Sequence, residues 1–560
     1  MHASLRLLRT VAAPLLRSAT AQMFESRGVP VFVPGQPEYD RSIATSNRMY
    51  RFSRPECVVR PQSADQVQDI VRTARDSDVD ITIKCNGHSY AGHSTAFSGI
   101  SLDLRGMQKT SLDMDAKIVT MDSGCQWGHV YGTLVNGRHN GYIINGGRCP
   151  TVGVSGFTLG GGLGPFTRSL GMGCDTLAEA TLVTADGKLV TVRDTDDPNS
   201  DEGRLFWALR GAGGGNFGVV VQMKMHVKKL KSPDKEVVAG KYIWTPDGGL
   251  TPDFLDVMNG FYTAPWSNNM TIDSTWICDT EKKHDAVRFT IAFDGGKSRY
   301  DINIDRGLKG EGMTKHLREQ LMRRAMSEKS TRFLYESLVN QWLEETERAY
   351  PENKTYELFS SYIFNNESDE GRAEIKKATK IIADLMKTFR ERFKDGDDAS
   401  FQATWIHSGG EAAKKKPEET AFFWRQAVYH MYVTIQWKDK WLEGSMREFH
   451  KEVKAALRPS SLNGQAAFIN FPDRDISSNK HEEMYFGKNA EKLRLIKAHW
   501  DKDGFFKFPH GIRRPDDPND EVFDDMGESD KLAQEQWEAF GGEKNSSFCD
   551  TLEYLRAAGF

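Results

Sequence analysis

A chain of 560 residues is too long for one ordinary core, so two or more lobes are expected. A hydrophobic share of 39% beside 27% charged residues marks a globular protein and excludes wholesale disorder. The formal charge of −4, with lysines and arginines scattered except for short runs at 228–231 and 414–416, excludes the basic footprint of a nucleic-acid binder.

The N-terminus, MHASLRLLRTVAAPLLRSATAQ, lacks acidic residues and carries Arg6, Arg9 and Arg17, as a transit-like amphipathic segment does. Ala19–Ala21 reads alternatively as a signal cleavage site, so secretion or the endomembrane system and the cytoplasm both stay open. Sequons at Asn269, Asn353, Asn366 and Asn545 lend secretion weak support. No apolar run reaches the ~18–20 residues of a membrane span. Seven cysteines, an odd number in so long a chain, do not make a disulfide scaffold. Oligomeric state is not legible.

Residues 61–78 read as a helix: Ser63 and Gln66 have capping-box spacing, and Val67, Ile70, Val71 and Ala74 share one face. A strand is expected at 79–84, then a turn over Cys85–Gly92. Asn86 and Gly87 permit left-handed backbone there, successive N–H groups could form an anion-binding nest, and Lys84 adds positive charge, so a pyrophosphate is a sensible guest. The competing reading is a plain surface turn with His88 hydrogen-bonded locally.

Short strands are expected at 100–104 and 118–121 and a helix at 127–134. Residues 144–177, INGGRCPTVGVSGFTLGGGLGPFTRSLGMGCDTL, hold ten glycines in 34 positions, which brings backbone close against something. Pro165 and the further glycines after Gly160 argue against a Rossmann turn and for a glycine-lined wall against a flat ring system. Strands at 182–185, 187–192 and 219–227 close the lobe, and 194–204 reads as an acidic, turn-rich loop.

Composition shifts after 231–233. The middle of the chain mixes strands (236–243, 270–277, 287–293, 427–437) with amphipathic helices, notably 371–389, as in an antiparallel sheet with helices on one side. Residues 300–355 read as helix-rich and charged. In 427–437, His430 and Tyr432 lie on a polar-tipped face with Val428, Thr434 and Gln436. Farther on, Asn489 is placed to cap a helix bearing Leu493, Ile496 and Trp500. The tail beyond Arg514 is acidic, with a helix expected near 531–540.

GHSYAGHST around His88, GGRCPTVGVSGFTLGGGLG around Cys149, GAGGGNFGVV at 211–220 and YFGKNAEKLRLIKAHWDKDGFFKFPHGI at 485–512 resemble the berberine bridge enzyme-like FAD-linked oxidases. These belong to the vanillyl-alcohol oxidase superfamily, with its PCMH-type FAD-binding domain. Four motifs in the family's order, spread over residues 50–514, carry the resemblance. It implies an α+β protein in which a two-lobed PCMH-type FAD-binding domain has an inserted substrate domain, built on an antiparallel sheet flanked by helices. The divisions are an N-terminal segment 1–49, FAD domain 50–232, substrate domain 233–477, returning FAD segment 478–514 and acidic tail 515–560.

The same resemblance implies FAD bound twice, by His88 at the 8α carbon and by Cys149 at C6. It maps the pyrophosphate loop onto Lys84, Cys85, Asn86, Gly87, His88 and Ser89, with Asn86–Gly87 standing where relatives have two glycines. Further cofactor contacts are implied at Thr151, Val152, Gly153, Gly156, Gly160, Gly218, Val219, Tyr485 and Asn489. Chemistry agrees independently, because imidazole and thiolate are nucleophiles able to bond an electron-poor ring. A metal held by Cys85, His88, His93 and Cys149 is the competing reading, and it lacks a recognisable zinc spacing.

Oxidation by a flavin needs hydride transfer and removal of a substrate proton. The resemblance places the base on the substrate-domain sheet, where His430 and Tyr432 are the candidates; packing alone is the competing role. Many relatives carry a YxNY-like strand that supplies a tyrosine base. Here it reads FINFPD, so Phe468 and Phe471 offer no phenol, which favours a desaturation or oxidative cyclisation of a secondary metabolite as much as a simple alcohol or amine oxidation. The resemblance also gives Val152 an influence on oxygen access, and its small side chain points to reoxidation by dioxygen with release of hydrogen peroxide. The expected partners are thus a small-molecule substrate and dioxygen. A flavin dehydrogenase using another acceptor, a flavin-binding protein without turnover and a nicotinamide dehydrogenase are the alternatives.

Overall fold

The computed structural model describes residues 21–348, 355–394 and 396–517. The transit-like segment, Cys549, the sequons at 353 and 545 and the helix expected near 531–540 lie outside those residues.

Three sheets organise the molecule. The first contains β1 (Val31–Phe32), β2 (Cys57–Val59), β3 (Ile81–Lys84) and β4 (Ile100–Asp103) in the order β1-β2-β4-β3. Both β2 and β3 pair in parallel with β4, and the helix Ala64–Asp76 makes the crossover. Ser63 caps that helix by accepting from the Gln66 amide at 3.3 Å, while the Gln66 side chain accepts from the Gln62 amide at 2.7 Å. The capping box is therefore displaced by one residue. Val67, Ile70, Val71 and Ala74 bury against the strands at helical spacing.

The second sheet has β5 (Thr110–Asp113), β6 (Ile118–Asp122), β7 (Tyr142–Ile144), β8 (Leu177–Val183), β9 (Leu189–Arg193) and β10 (Val219–Lys229). Its order is β5-β6-β10-β8-β9, with β7 also on β10. The segment expected as a loop at 194–204 already contains the start of the helix Asp201–Ala208. Ser200 accepts from the Gly203 amide at 3.0 Å, and Asp201 and Glu202 sit in the first turn, where carboxylates favour the helix dipole.

The third sheet is β11 (Glu236–Trp244), β12 (Met270–Asp279), β13 (Ala286–Phe293), β14 (Ala325–Lys329), β15 (Tyr356–Phe364), β16 (Ala399–His407) and β17 (Tyr429–Trp437), ordered β14-β11-β13-β12-β16-β17-β15. Every pairing is antiparallel. The sequence reading missed β14, β15 and β16. β14 is a short polar edge strand inside a helix-rich stretch, and β15 is buried along nearly its whole length and shows little alternation, whereas β16 does alternate, with Ala399, Phe401, Ala403 and Trp405 against Ser400, Gln402 and Thr404. Tyr429, Met431, Val433 and Ile435 of β17 pack with the helices Pro252–Thr263, Asp369–Arg392 and Glu443–Leu457. Tyr432, on the opposite face, joins the core of the second sheet. This is the α+β arrangement expected, with helices on one side of the antiparallel sheet and the first lobe on the other.

Two local expectations are corrected. Residues 468–473 (FINFPD) form an irregular turn, not a strand: the Phe468 amide donates to Ser361 Oγ and the Asn470 side chain to the Phe157 carbonyl. Asn489 does not cap the helix Ala490–Trp500; its amide donates instead to the carbonyls of Pro417, Thr420 and Ala421 at 2.8, 3.1 and 3.3 Å. The chain after that helix returns to the first lobe, where Phe506 enters the core of the first sheet and Ile512 that of the second.

Candidate active site

Two loops meet under one cavity. The first leaves β3 at Lys84. Its left-handed residue is Gly87 (φ 77°); Asn86 works through its side chain instead, donating to the carbonyls of Gly124 and Cys125 at 3.2 and 3.3 Å and accepting from Gln126 Nε2 at 3.1 Å. The Cys85 thiol donates to the Ser123 carbonyl at 2.7 Å. The second loop, 145–153, follows β7 and is clamped to the start of the helix Trp127–Asn136. The Trp127 and Gly128 amides donate to the carbonyls of Val152 and Pro150 at 3.1 and 2.8 Å. Close approach makes glycine obligatory where the loops touch: a Cβ at Gly153 would stand 2.4 Å from Cys85 Sγ, and one at Gly146 2.2 Å from the Trp127 indole.

The resulting cavity, about 330 Å³, is lined by His88, Cys149 and the glycine-rich loops together with Tyr432, Phe359, Trp342 and Glu345 of the middle lobe. Of the residues singled out in the sequence, Cys85, Asn86, Gly87, His88, Ser89, His93, Cys149, Val152, Gly153, Gly156, Gly218, Tyr432, Phe468 and Phe471 line it. The remainder stand behind the walls. Lys84 points its ammonium at the Ser42 carbonyl, 2.8 Å away, backing the first loop rather than facing the cavity. Thr151 lies under His88, and Val219 is buried beside the lining residues Gly218 and Val220. Gly160 gives room to Asn470, because a Cβ there would fall 1.9 Å from its Oδ1. Tyr485 is buried with its hydroxyl accepting from the Asp473 amide at 3.2 Å, and Asn489 ties down 417–421 as described above. His430 is 1% exposed behind Phe468 and Phe422, at ring distances of 5.0 and 5.8 Å, and forms no part of the lining.

Burial governs the electrostatics. It pulls the His88 imidazole down to about 4 against a hydrogen bond to the Thr151 backbone, so the ring is neutral near pH 7. Burial likewise lowers Lys84 to about 8 and His430 to about 3, with Arg105 and Arg148 respectively adding like charge. The Cys149 sulfur has two hydroxyl neighbours, Thr151 Oγ1 at 3.2 Å and Thr346 Oγ1 at 3.5 Å.

Sequence reasoning missed Arg148, Glu345, Trp342 and the aromatic pair Tyr90 and Phe359, while Phe471, noted there for lacking a phenol, proves to be part of the wall. Tyr90 stacks on Phe359 at 4.2 Å, and Phe471 lies 4.4 Å from Tyr432. Arg148 stood in plain view beside Cys149, whereas Phe359 and Glu345 sit in segments without a motif. Among the described residues, no group of three or more His, Cys, Asp or Glu side chains is arranged to hold a metal ion. No helix there is long and apolar enough to cross a membrane.

The walls suit FAD. A Cβ built at Gly156 meets nothing within 4 Å, and at Gly214 and Gly215 nothing nearer than 3.6 and 3.5 Å, so bare backbone faces open space where a flat ring system can lie. An imidazole and a thiol open onto that same space.

Comparison with known proteins points the same way. Family models described as "FAD binding domain" and "Berberine and berberine like" match residues 55–193 and 467–513. An FAD-linked oxidoreductase of Bacillus subtilis is 25% identical over 500 residues, covering 85% of this chain and 95% of the relative. Chitooligosaccharide oxidase of Gibberella zeae is 25% identical over 524 residues, covering 90% and 96%. The structure of Physcomitrella patens BBE-like 1 superposes with a TM-score of 0.72 at 23% identity, over 88% of this chain and 98% of that one. The chain is therefore an FAD-linked oxidoreductase, similar in sequence motifs and in fold to the berberine bridge enzyme-like proteins.

Proposed function

We propose that the protein is an oxidase that removes a hydride from a small organic molecule, an alcohol, an amine or a secondary-metabolite intermediate, and returns the electrons to dioxygen as hydrogen peroxide. FAD, bonded to His88 at the 8α carbon and to Cys149 at C6, supplies the two-electron acceptor. The observation that carries this reading is that His88, Cys149 and Tyr432 line one and the same cavity. A neutral imidazole keeps the lone pair that bond formation needs.

Tyr432 is the residue we assign to proton removal. It lines the cavity, whereas His430 is walled off by Phe468 and, at about 3, is a feeble base near neutral pH. Phe471 and Tyr90 flank the Tyr432 ring at 4.4 and 6.1 Å, with Phe359 stacked on Tyr90, an apolar setting suited to keeping water from a reacting bond. Val152 lines the same cavity and is the residue we assign to oxygen access. The similarity to a chitooligosaccharide oxidase supports an oxidase acting on a small polar molecule.

Acid denaturation tests the covalent part. Yellow colour should stay with the precipitated wild-type polypeptide and with the single variants His88→Ala and Cys149→Ala, and be released only from the double variant. An oxygen electrode tests the rest: turnover should consume one dioxygen per hydrogen peroxide formed. Reduction of a dye without oxygen uptake would instead make the protein a dehydrogenase.

A further inference from the structure

Arg148, next to the thiol, is 6% exposed and reaches across to the middle lobe. Its Nε and Nη2 donate to Asp273 Oδ2 and Oδ1 of β12 at 2.5 and 3.1 Å, and its Nη1 donates to the Leu163 carbonyl. Asp273 is 3% exposed and also accepts from the His407 amide at 2.8 Å, so both partners of a fully buried pair are oriented by further bonds. The thiol is touched from the same lobe by Thr346. The hydrogen bonds that hold the His88 loop come from outside the middle lobe, from Ser42, Ser123, Gly124, Cys125, Gln126 and Thr151, and the middle lobe meets this loop through the rings of Phe359 and Tyr432 stacked on Tyr90.

We propose that the Arg148–Asp273 pair and the Thr346 hydroxyl are positioning groups through which the middle lobe aims the Cys149 sulfur, so that the sulfur–flavin bond depends on lobe docking while the imidazole–flavin bond does not. This rests on the doubly bonded flavin proposed above. Each bond replaces one C–H of the flavin and one S–H or N–H of the side chain. Two protons and two electrons leave in each case, and dioxygen takes them as one hydrogen peroxide. A buried ion pair is poor evidence for stability alone, because desolvation offsets its attraction. Its place beside the nucleophile gives it a use that the equally buried Asp175–Arg425 pair lacks.

The test is chemical mapping of the holoprotein. Wild type, Asp273→Asn, Thr346→Val and the control Arg425→Lys are denatured, alkylated and digested, and the peptides bearing His88 and Cys149 are weighed. A misplacement of about 1 Å at a reacting group slows reaction on the order of 100-fold. Asp273→Asn should therefore leave Cys149 alkylatable in most molecules while the flavin stays on the His88 peptide. Wild type and Arg425→Lys should show both bonds. Should Asp273→Asn not fold, Thr346→Val decides by the same measure. A folded Asp273→Asn or Thr346→Val protein with Cys149 fully linked overturns the inference, as does equal loss of both bonds, which marks a merely structural pair. Alkylatable Cys149 in the wild type instead sinks the sulfur bond itself, and release of free flavin from the wild type sinks both bonds.

Discussion

Tyr432 owes its position to strand register. It faces Ser361 on β15 and Thr404 on β16, two residues from His430 and on the same face of β17. That spacing separates their fates: one reaches the cavity, while the other is closed in by Phe422 and Phe468. Under the proposed chemistry, Tyr432→Phe slows anaerobic flavin reduction about 10²–10⁴-fold, the range of a lost general base. His430→Gln leaves that rate within a few-fold. Stopped-flow absorbance on the two variants decides between them; a slower His430→Gln would exchange the roles.

At the scale of elements, the site is built by loops that back one another. The segment 468–472 forms part of the wall, and Asn470 anchors it to the helix Val154–Leu159 through the Phe157 carbonyl. Gly160, at the end of that helix, leaves the space that the Asn470 side chain fills. Gly160→Ala puts a methyl into that space, and overpacking of this kind costs about 1–3 kcal/mol. Chemical denaturation should show that loss, with less flavin retained because the wall shifts. Unchanged stability would mean that Asn470 has room to move aside.

Across the whole molecule, the lobes are joined by buried charge as well as by the sheet face. Arg148 meets Asp273, Arg425 meets Asp175, and Arg168 donates to the carbonyls of Ser408 and Trp266 at 2.5 and 2.8 Å. Burial also holds three imidazoles neutral: His430 falls to about 3 and His450 and His510 to about 4, from 6.5. Between pH 6.5 and 4 the unfolded chain binds more protons than the folded one, so stability is complete above 6.5 and declines as pH falls through that window. Each group contributes at most about 1.4 kcal/mol per pH unit. Denaturation midpoints measured from pH 7 to 4.5 should fall steadily, and a flat profile would mean that these rings meet water in the folded state.

The sequence by itself marked a pyrophosphate-suited turn and a glycine wall for a flat ring, and its resemblance to a known family supplied the cofactor class. Glycine, histidine and cysteine at fixed spacing act through local backbone geometry and intrinsic reactivity, and both are written residue by residue. The same holds for the helix Ala64–Asp76, whose cap and apolar face lie within one short stretch. Only the tertiary structure decided which candidates face the cavity. Lys84, Tyr485 and Asn489 sit in motifs yet turn to carbonyls and amides of other segments, while Phe359, Glu345 and Trp342 reach the wall from segments without one. The strand β15 escaped notice for a related reason: burial along nearly its whole length erases the alternation that reveals a strand. Arg148 shows the division within one residue. Its place next to the thiol is a property of the chain, but its partner lies 125 positions away, and only the docking of two lobes brings that carboxylate within reach.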